Sequence, residues 1–171
     1  MRRALICLVF VACHHTADAP PRSGTWFGDT TQGKTIQFTV DGRSVSRMQI
    51  RLDLLCEKSQ KMFHIGLRLG QKIPIHDGRF ALAVATPGIF FRWAGAFTQS
   101  GNANGQIDFV FPALHGKTIE TLAAEKCGAV GVGWAARPGK RQDAAGAVDL
   151  VVTIDENGAV STSTPSATTG W

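Results

Sequence analysis

Hydrophobic and polar residues alternate with a period of two through most of the chain. In KTIQFTVDG, Ile36, Phe38 and Val40 alternate with Gln37 and Thr39, and Asp41-Gly42 follows. A strand with one dry and one wet face gives this pattern, because successive side chains leave the pleat on opposite sides. Asp-Gly then suits a tight hairpin turn. The next run sets Met48, Ile50, Leu52, Leu54 and Cys56 on one face and Arg47, Gln49, Arg51 and Asp53 on the other. Phe63, Ile65, Leu67 and Leu69 repeat the alternation with His64 and Arg68 opposite, and Asp77-Gly78 marks another turn. Phe80, Leu82 and Val84 alternate with alanines before Pro87-Gly88, and Phe91, Trp93, Gly95 and Phe97 share the next face. Residues 102–105 read as a loop, followed by Ile107, Phe109 and Phe111. Beyond the polar RPGKRQDAAG, Val148, Leu150, Val152 and Ile154 run into Asn157-Gly158, the strongest short hairpin signal in the chain.

Short, evenly spaced strands broken by Gly, Asp and Asn predict an all-β fold. The expected form is an antiparallel meander of about eight to ten strands making a β-sandwich or small open barrel, with at most one short helix. The helix candidate is KTIETLAAEKCG, where Ile119, Leu122 and Ala123 follow helical spacing and Gly128 can end the turn. In CGAVGVGWAAR, Val130, Val132 and Trp134 share a face, which strict alternation denies to Cys127. A bridge from Cys127 to the inward Cys56 therefore needs a bulge near Gly128, or Cys127 just outside the strand.

The start of the chain breaks the pattern. Arg2 and Arg3 precede an apolar run from Ala4 to Ala12, nine residues long. That is far short of the roughly 20 needed to span a bilayer as a helix, so it reads as an export signal. HHTADAPPRSG carries two prolines and no periodicity and reads as a tether. His14-His15 on such a tether makes no closed metal site. The resulting organisation is a signal over 1–12, a tether over 13–24, one β domain over 25–160 and a Ser/Thr-rich disordered tail over 161–171.

Phe10-Val11-Ala12-Cys13 resembles a bacterial lipobox, with a large apolar residue at −3, a small one at −1 and a cysteine at +1; Phe10 stands where leucine is usual. The resemblance implies cleavage before Cys13, a diacylglycerol thioether on its sulfur, and fatty acylation of the new N-terminus. It implies a lipid-anchored protein of the cell envelope, on the outer membrane or periplasmic face, and His14 after the cysteine leans toward the outer membrane. A rival signal is Ala17-Asp18-Ala19, an A-x-A pattern that would release a soluble protein at Pro20. The proline nitrogen makes that bond a poor peptidase substrate. The stretch from Gly24 to Arg137 also resembles a recurrent small exported bacterial β domain, through an opening G-x-aromatic-x-G, a QGK-x-I-x-F-x-V strand and a late C…W strand. This resemblance implies fold and export and carries no catalytic residue.

Composition narrows the function. Of 18 basic residues, Arg2 and Arg3 leave with the signal, so the mature chain keeps 16 against 13 acidic, a net +3. That mild charge, without a basic run interleaved with aromatics, gives no case for nucleic acid. With Cys7 in the signal and Cys13 lipidated, Cys56 and Cys127 remain as one disulfide pair, the alternative being two buried free thiols. No metal or cofactor is expected. Arg47, Arg51, Arg68 and Arg92 all fall on outward faces, a candidate surface for an anionic glycan, lipid head group or acidic envelope partner. The expectation is a non-catalytic binding or structural module with no catalytic residues. The alternative is a soluble secreted protein of hydrolase-like activity, with His64 and Asp53 on adjacent strands as candidates. His76 and His115 are scattered, and Asp108 is read as a solvated surface residue.

Overall fold

The computed structural model describes residues 21–86, 88–111, 126–139 and 148–164. They form eleven strands and no helix. In chain order these are β1 (Gly24–Thr30), β2 (Thr35–Val40), β3 (Ser44–Cys56), β4 (Met62–Leu69), β5 (Ile73–Pro74) and β6 (Arg79–Thr86). There follow β7 (Ile89–Phe97), β8 (Ala103–Phe111), β9 (Cys127–Pro138), β10 (Leu150–Ile154) and β11 (Val160–Ser163). The all-β expectation holds, and so do the inward faces read from the alternation. Ile36, Phe38, Val40, Met48, Ile50, Leu52, Leu54, Cys56, Ile65, Leu67 and Leu69 are all buried.

The sheet runs β11-β10-β4-β3-β2-β1-β9-β8-β7-β6, with β5 beside the start of β3. β3 is 13 residues long, long enough to meet four further partners. β2 and β4 flank it, β5 takes Ser44 and Val45, and β9 takes its far end through Leu55↔Gly128 and Cys56↔Cys127. That last contact closes β3, β2, β1 and β9 into a small barrel. Two connections depart from a meander. β9 returns between β1 and β8, and β10 lies parallel to β4, from Leu150↔Ile65 to Ile154↔Leu69. A parallel neighbour requires a long crossover, and here the chain from β5 to β9 intervenes.

The hairpins use the residues their backbones require. Asp77 and Gly78 both have positive φ, 48° and 69°, as a two-residue reverse turn between extended segments demands. At Asp41-Gly42, the carboxylate accepts from the Ser44 and Arg43 amides, and Gly42 has φ 90°. The expected loop over 102–105 is shorter than read. Ala103 already begins β8, and Thr98 to Asn102 make the turn, with Gly101 at φ 79°.

The phase conflict at Cys127 resolves at a different glycine. Ile107 faces Val132 and Phe109 faces Ala129, so Val130 and Gly131 together oppose Asp108. Gly131 has φ 69°, the left-handed conformation a bulge with one extra residue uses. Both bulged residues are exposed, Val130 to 72%. The additional residue brings Cys127 and Ala129 into phase with Val132, Trp134 and Ala136, all buried. Val130 therefore does not share the face of Trp134.

Inside, aromatic rings carry much of the packing. Phe38 meets Trp26, Trp93 and Trp134 at ring separations of 6.1, 5.5 and 5.7 Å, and Phe80 meets Trp93 at 4.8 Å. Each such ring contributes both buried area and an edge-to-face or offset contact worth roughly 0.5–1.5 kcal/mol. Gly95 and Gly105 leave room for the Trp134 indole, which would lie 2.4 and 2.8 Å from a Cβ at either position. Ser161 to Ser163 belong to β11, so the ordered domain runs beyond the expected boundary at 160. The expected signal, Cys13, most of the expected tether and residues 117–125 of the helix candidate lie outside the described residues. Cys127 and Gly128, at the end of the helix candidate, belong to β9.

Candidate functional site

The two residues singled out for chemistry meet. Asp53 on β3 faces His64 on β4, and the imidazole Nδ1 lies 2.5 Å from the Asp53 carboxylate. The other carboxylate oxygen is 3.1 Å from the Lys34 ammonium. Gln32 clasps the Asp53 backbone from the β1–β2 turn, donating to its carbonyl at 2.9 Å and accepting from its N–H at 3.0 Å. On the other side, Asp149 accepts the His64 N–H at 2.9 Å and returns its own N–H to the His64 carbonyl at 2.7 Å. Burial would raise the pKa of Asp53, but hydrogen bonds from His64 and Lys34 outweigh it and hold the carboxyl below its usual value. The imidazole is about half exposed, 47%, so this Asp–His pair opens to solvent. Among the described residues, no group of three or more His, Cys, Asp or Glu side chains is placed to hold a metal ion.

The four arginines do not share one exposed face. Arg47 is exposed on an irregular stretch of β3, where φ is 51°. Arg51 is buried to 8% exposure, and burial lowers its pKa. Arg68 is half-buried on the neighbouring β4. Arg92 stands on β7, with β2, β1, β9 and β8 between it and β3 in the sheet order, and its guanidinium is 2.5 Å from Asp108. Asp108 is itself buried, to 4%, rather than solvated. The bulge turns the Gly131 N–H toward it, and the carboxylate accepts that N–H at 2.7 Å.

A larger feature lies on the outward face of β1, β9, β8, β7 and β6, a shallow groove of about 1160 Å³. Three adjacent cross-strand rows build it. One runs Asp29–Ala135–Asn104–Ala96–Arg79, the next Thr30–Trp134–Gly105–Gly95–Phe80, and the third Gly133–Gln106–Ala94–Ala81. The outward positions of the outer rows are mostly Ala or Gly, so the floor is backbone and methyl groups. Polar side chains, Asp29, Thr31, Asn104 and Gln106, interrupt it, and His76 and Arg79 stand at the far end. Five strands span four spacings, about 19 Å across. The sequence signal for this groove was the recurrence of Ala-Gly-Ala, Ala-Asn-Gly and Gly-x-Ala in three strands, which leaves Ala94, Ala96, Asn104, Gly133 and Ala135 at outward positions. Strand reading alone treats those positions as solvated surface.

The disulfide expected between Cys56 and Cys127 is present, across the seam where β9 meets β3. Among the described residues, no helix is long and apolar enough to cross a membrane. No protein-family model, curated protein or solved structure matches the chain.

Proposed function

We propose that this chain is a lipid-anchored protein of the bacterial cell envelope whose β domain is a non-catalytic binding module. The observation that carries the binding role is the groove across β1, β9, β8, β7 and β6. Its mostly apolar floor is open enough for an extended ligand, and the side chains that interrupt it, Asn104, Gln106 and Thr31, offer amide and hydroxyl donors and acceptors. Asp29 and Arg79 oppose each other in charge at its two ends. This chemistry favours a neutral, hydroxyl-rich chain, and the ligand class we assign is an envelope glycan. The lipid anchor rests on Phe10-Val11-Ala12-Cys13 at the end of a short apolar run. The Cys56–Cys127 disulfide agrees with an oxidising envelope compartment.

Two measurements test the reading. Intact mass of the membrane fraction should give a species that begins at Cys13 and carries acyl mass, lost in Cys13→Ala; a mature chain starting at Pro20 without acyl mass would overturn the anchor. Titration with a soluble β-1,4-linked N-acetylglucosamine oligomer should saturate for the wild type, with at least tenfold weaker binding in Asn104→Ala/Gln106→Ala. No saturable binding, or an unchanged affinity in the variant, removes the glycan assignment.

The half-exposed Asp53–His64 pair favours a second reading, a soluble secreted hydrolase in which His64 acts as general base and Asp53 orients it. Ester hydrolysis that falls by about a hundredfold or more in His64→Gln would support it. An unchanged background rate in that variant would exclude it.

A further inference from the structure

The two edges of the sheet are built differently. β11 is four residues of VSTS, short and polar, with Ser161, Thr162 and Ser163 exposed. β6 is eight residues of RFALAVAT and, among the described residues, is paired on one side only. Natural edges are normally protected from pairing by lysine, proline, a bulge, an inward charge or shortness. The register of β6 with β7 is unbroken from Arg79↔Ala96 to Thr86↔Ile89, and Arg79 at its first position is its one charge. Leu82 and Val84 point toward the core face yet remain half-buried, because the sheet ends beside them.

We infer that the β6 edge is an interaction surface for a second copy of this chain, the two β6 strands pairing antiparallel about a two-fold axis at Ala83. Such an edge is self-complementary, since two-fold pairing sets each outward N–H against a C=O of its twin. Opposed residues share a face, so the axis at Ala83 places Leu82 of one copy against Val84 of the other and continues the apolar face of both sheets. Alanines 81, 83 and 85 are exposed on the other face and bring no bulk to the junction. Charge permits the pairing as well. The two Arg79 residues end roughly 27 Å apart at 3.4 Å per residue. The two Arg92 residues lie three strand spacings apart, about 14 Å, and each is already paired with Asp108. An interface of this size sits at the low end of protein contacts, so the dimer depends on concentration. The inference does not depend on the lipid anchor or on what the groove binds, although Arg79, Phe80 and Ala81 of β6 also line the end of that groove.

Cysteine cross-linking of the full-length protein in detergent micelles tests it. Ala83→Cys should form a covalent dimer under mild oxidation, because position 83 meets its twin on the axis, whereas Ala81→Cys should not. Ala83→Glu sets a carboxylate beside Arg92 of its own chain and opposite its twin, and should weaken the dimer roughly fivefold in sedimentation velocity. Equal cross-linking at 81 and 83, a wild type that stays monomeric at every concentration, or a dimer indifferent to Ala83→Glu would each overturn the proposal. An unchanged melting temperature for Ala83→Glu separates loss of pairing from loss of fold.

Discussion

At the scale of single residues, two carboxylates do different work. Asp108 holds the β9 bulge by accepting the Gly131 N–H, and it pairs with Arg92 across β7 and β8. The arginine side chain is 54% exposed, so solvent screens that half of the arrangement. The larger cost of losing Asp108 comes from the charge-assisted hydrogen bond to the Gly131 N–H, made by a buried carboxylate, that fixes the bulge. Asp108→Ala should destabilise by about 2 kcal/mol in chemical denaturation, and Asp108→Asn, which keeps an acceptor oxygen, by clearly less. Asp53 instead gives a pH signature. Its carboxyl titrates below the usual value when folded, so its contribution is fully present above the unfolded carboxylate pKa of about 3.9 and fades as pH falls through the lower folded value. The stability difference between wild type and Asp53→Asn should therefore shrink as pH falls below about 4. A difference that grows as pH falls below about 4 would contradict the direction of the shift.

At the scale of strands, glycine positions decide what alternation cannot. Gly105 lies where an added Cβ would come within 2.0 Å of the Ala94 carbonyl and 2.8 Å of the Trp134 ring. Gly105→Ala must move backbone as well as indole and should cost roughly 1–3 kcal/mol, read as a shift in the denaturation midpoint. Gly131→Ala meets no atom within 4 Å, and its cost, about 1 kcal/mol, is that of a positive φ alone. These two glycines mark the limit of the sequence reading. The inward faces of β2, β3, β4, β7 and β10 were legible because one buried face imposes a strict period of two on each. The bulge was legible only as a conflict at Cys127, since period two cannot say which residue is extra. The expectation was a bulge near Gly128 or Cys127 just outside the strand, and Gly131 takes the role because Asp108 sits opposite to receive its N–H. The Asp53–His64 pair was legible from neighbouring strands. The groove was not, because it arises from small residues on five strands whose lateral order depends on where β9 inserts.

At the scale of the molecule, the closure of the barrel depends on a narrow seam. β3 and β9 share only the pairs Leu55↔Gly128 and Cys56↔Cys127, flanked by a hydrogen bond from Glu57 N–H to the Lys126 carbonyl and by an exposed Lys126–Glu57 ion pair. Against it stand the six pairs of β1 with β2 and the eight of β3 with β4. So short a ladder contributes little by itself, and the covalent bond between Cys56 and Cys127 holds the ring shut. The bridged residues are 71 apart in sequence, and strands β4 to β8 lie inside the loop they close. Constraining a loop of that length in the unfolded chain stabilises by about 4 kcal/mol on the chain-entropy model. The double variant Cys56→Ala/Cys127→Ala should therefore melt roughly 10–15 °C below the oxidised wild type, given about 2–4 °C per kcal/mol for a domain of this size. Its amides should also exchange in a characteristic order. Leu55, Glu57 and Gly128 should lose protection by local opening of the seam, while the central pairs of β3 with β4 keep the protection set by global stability. Uniform loss of protection across β3 would mean instead that the disulfide stabilises the whole domain without holding this junction.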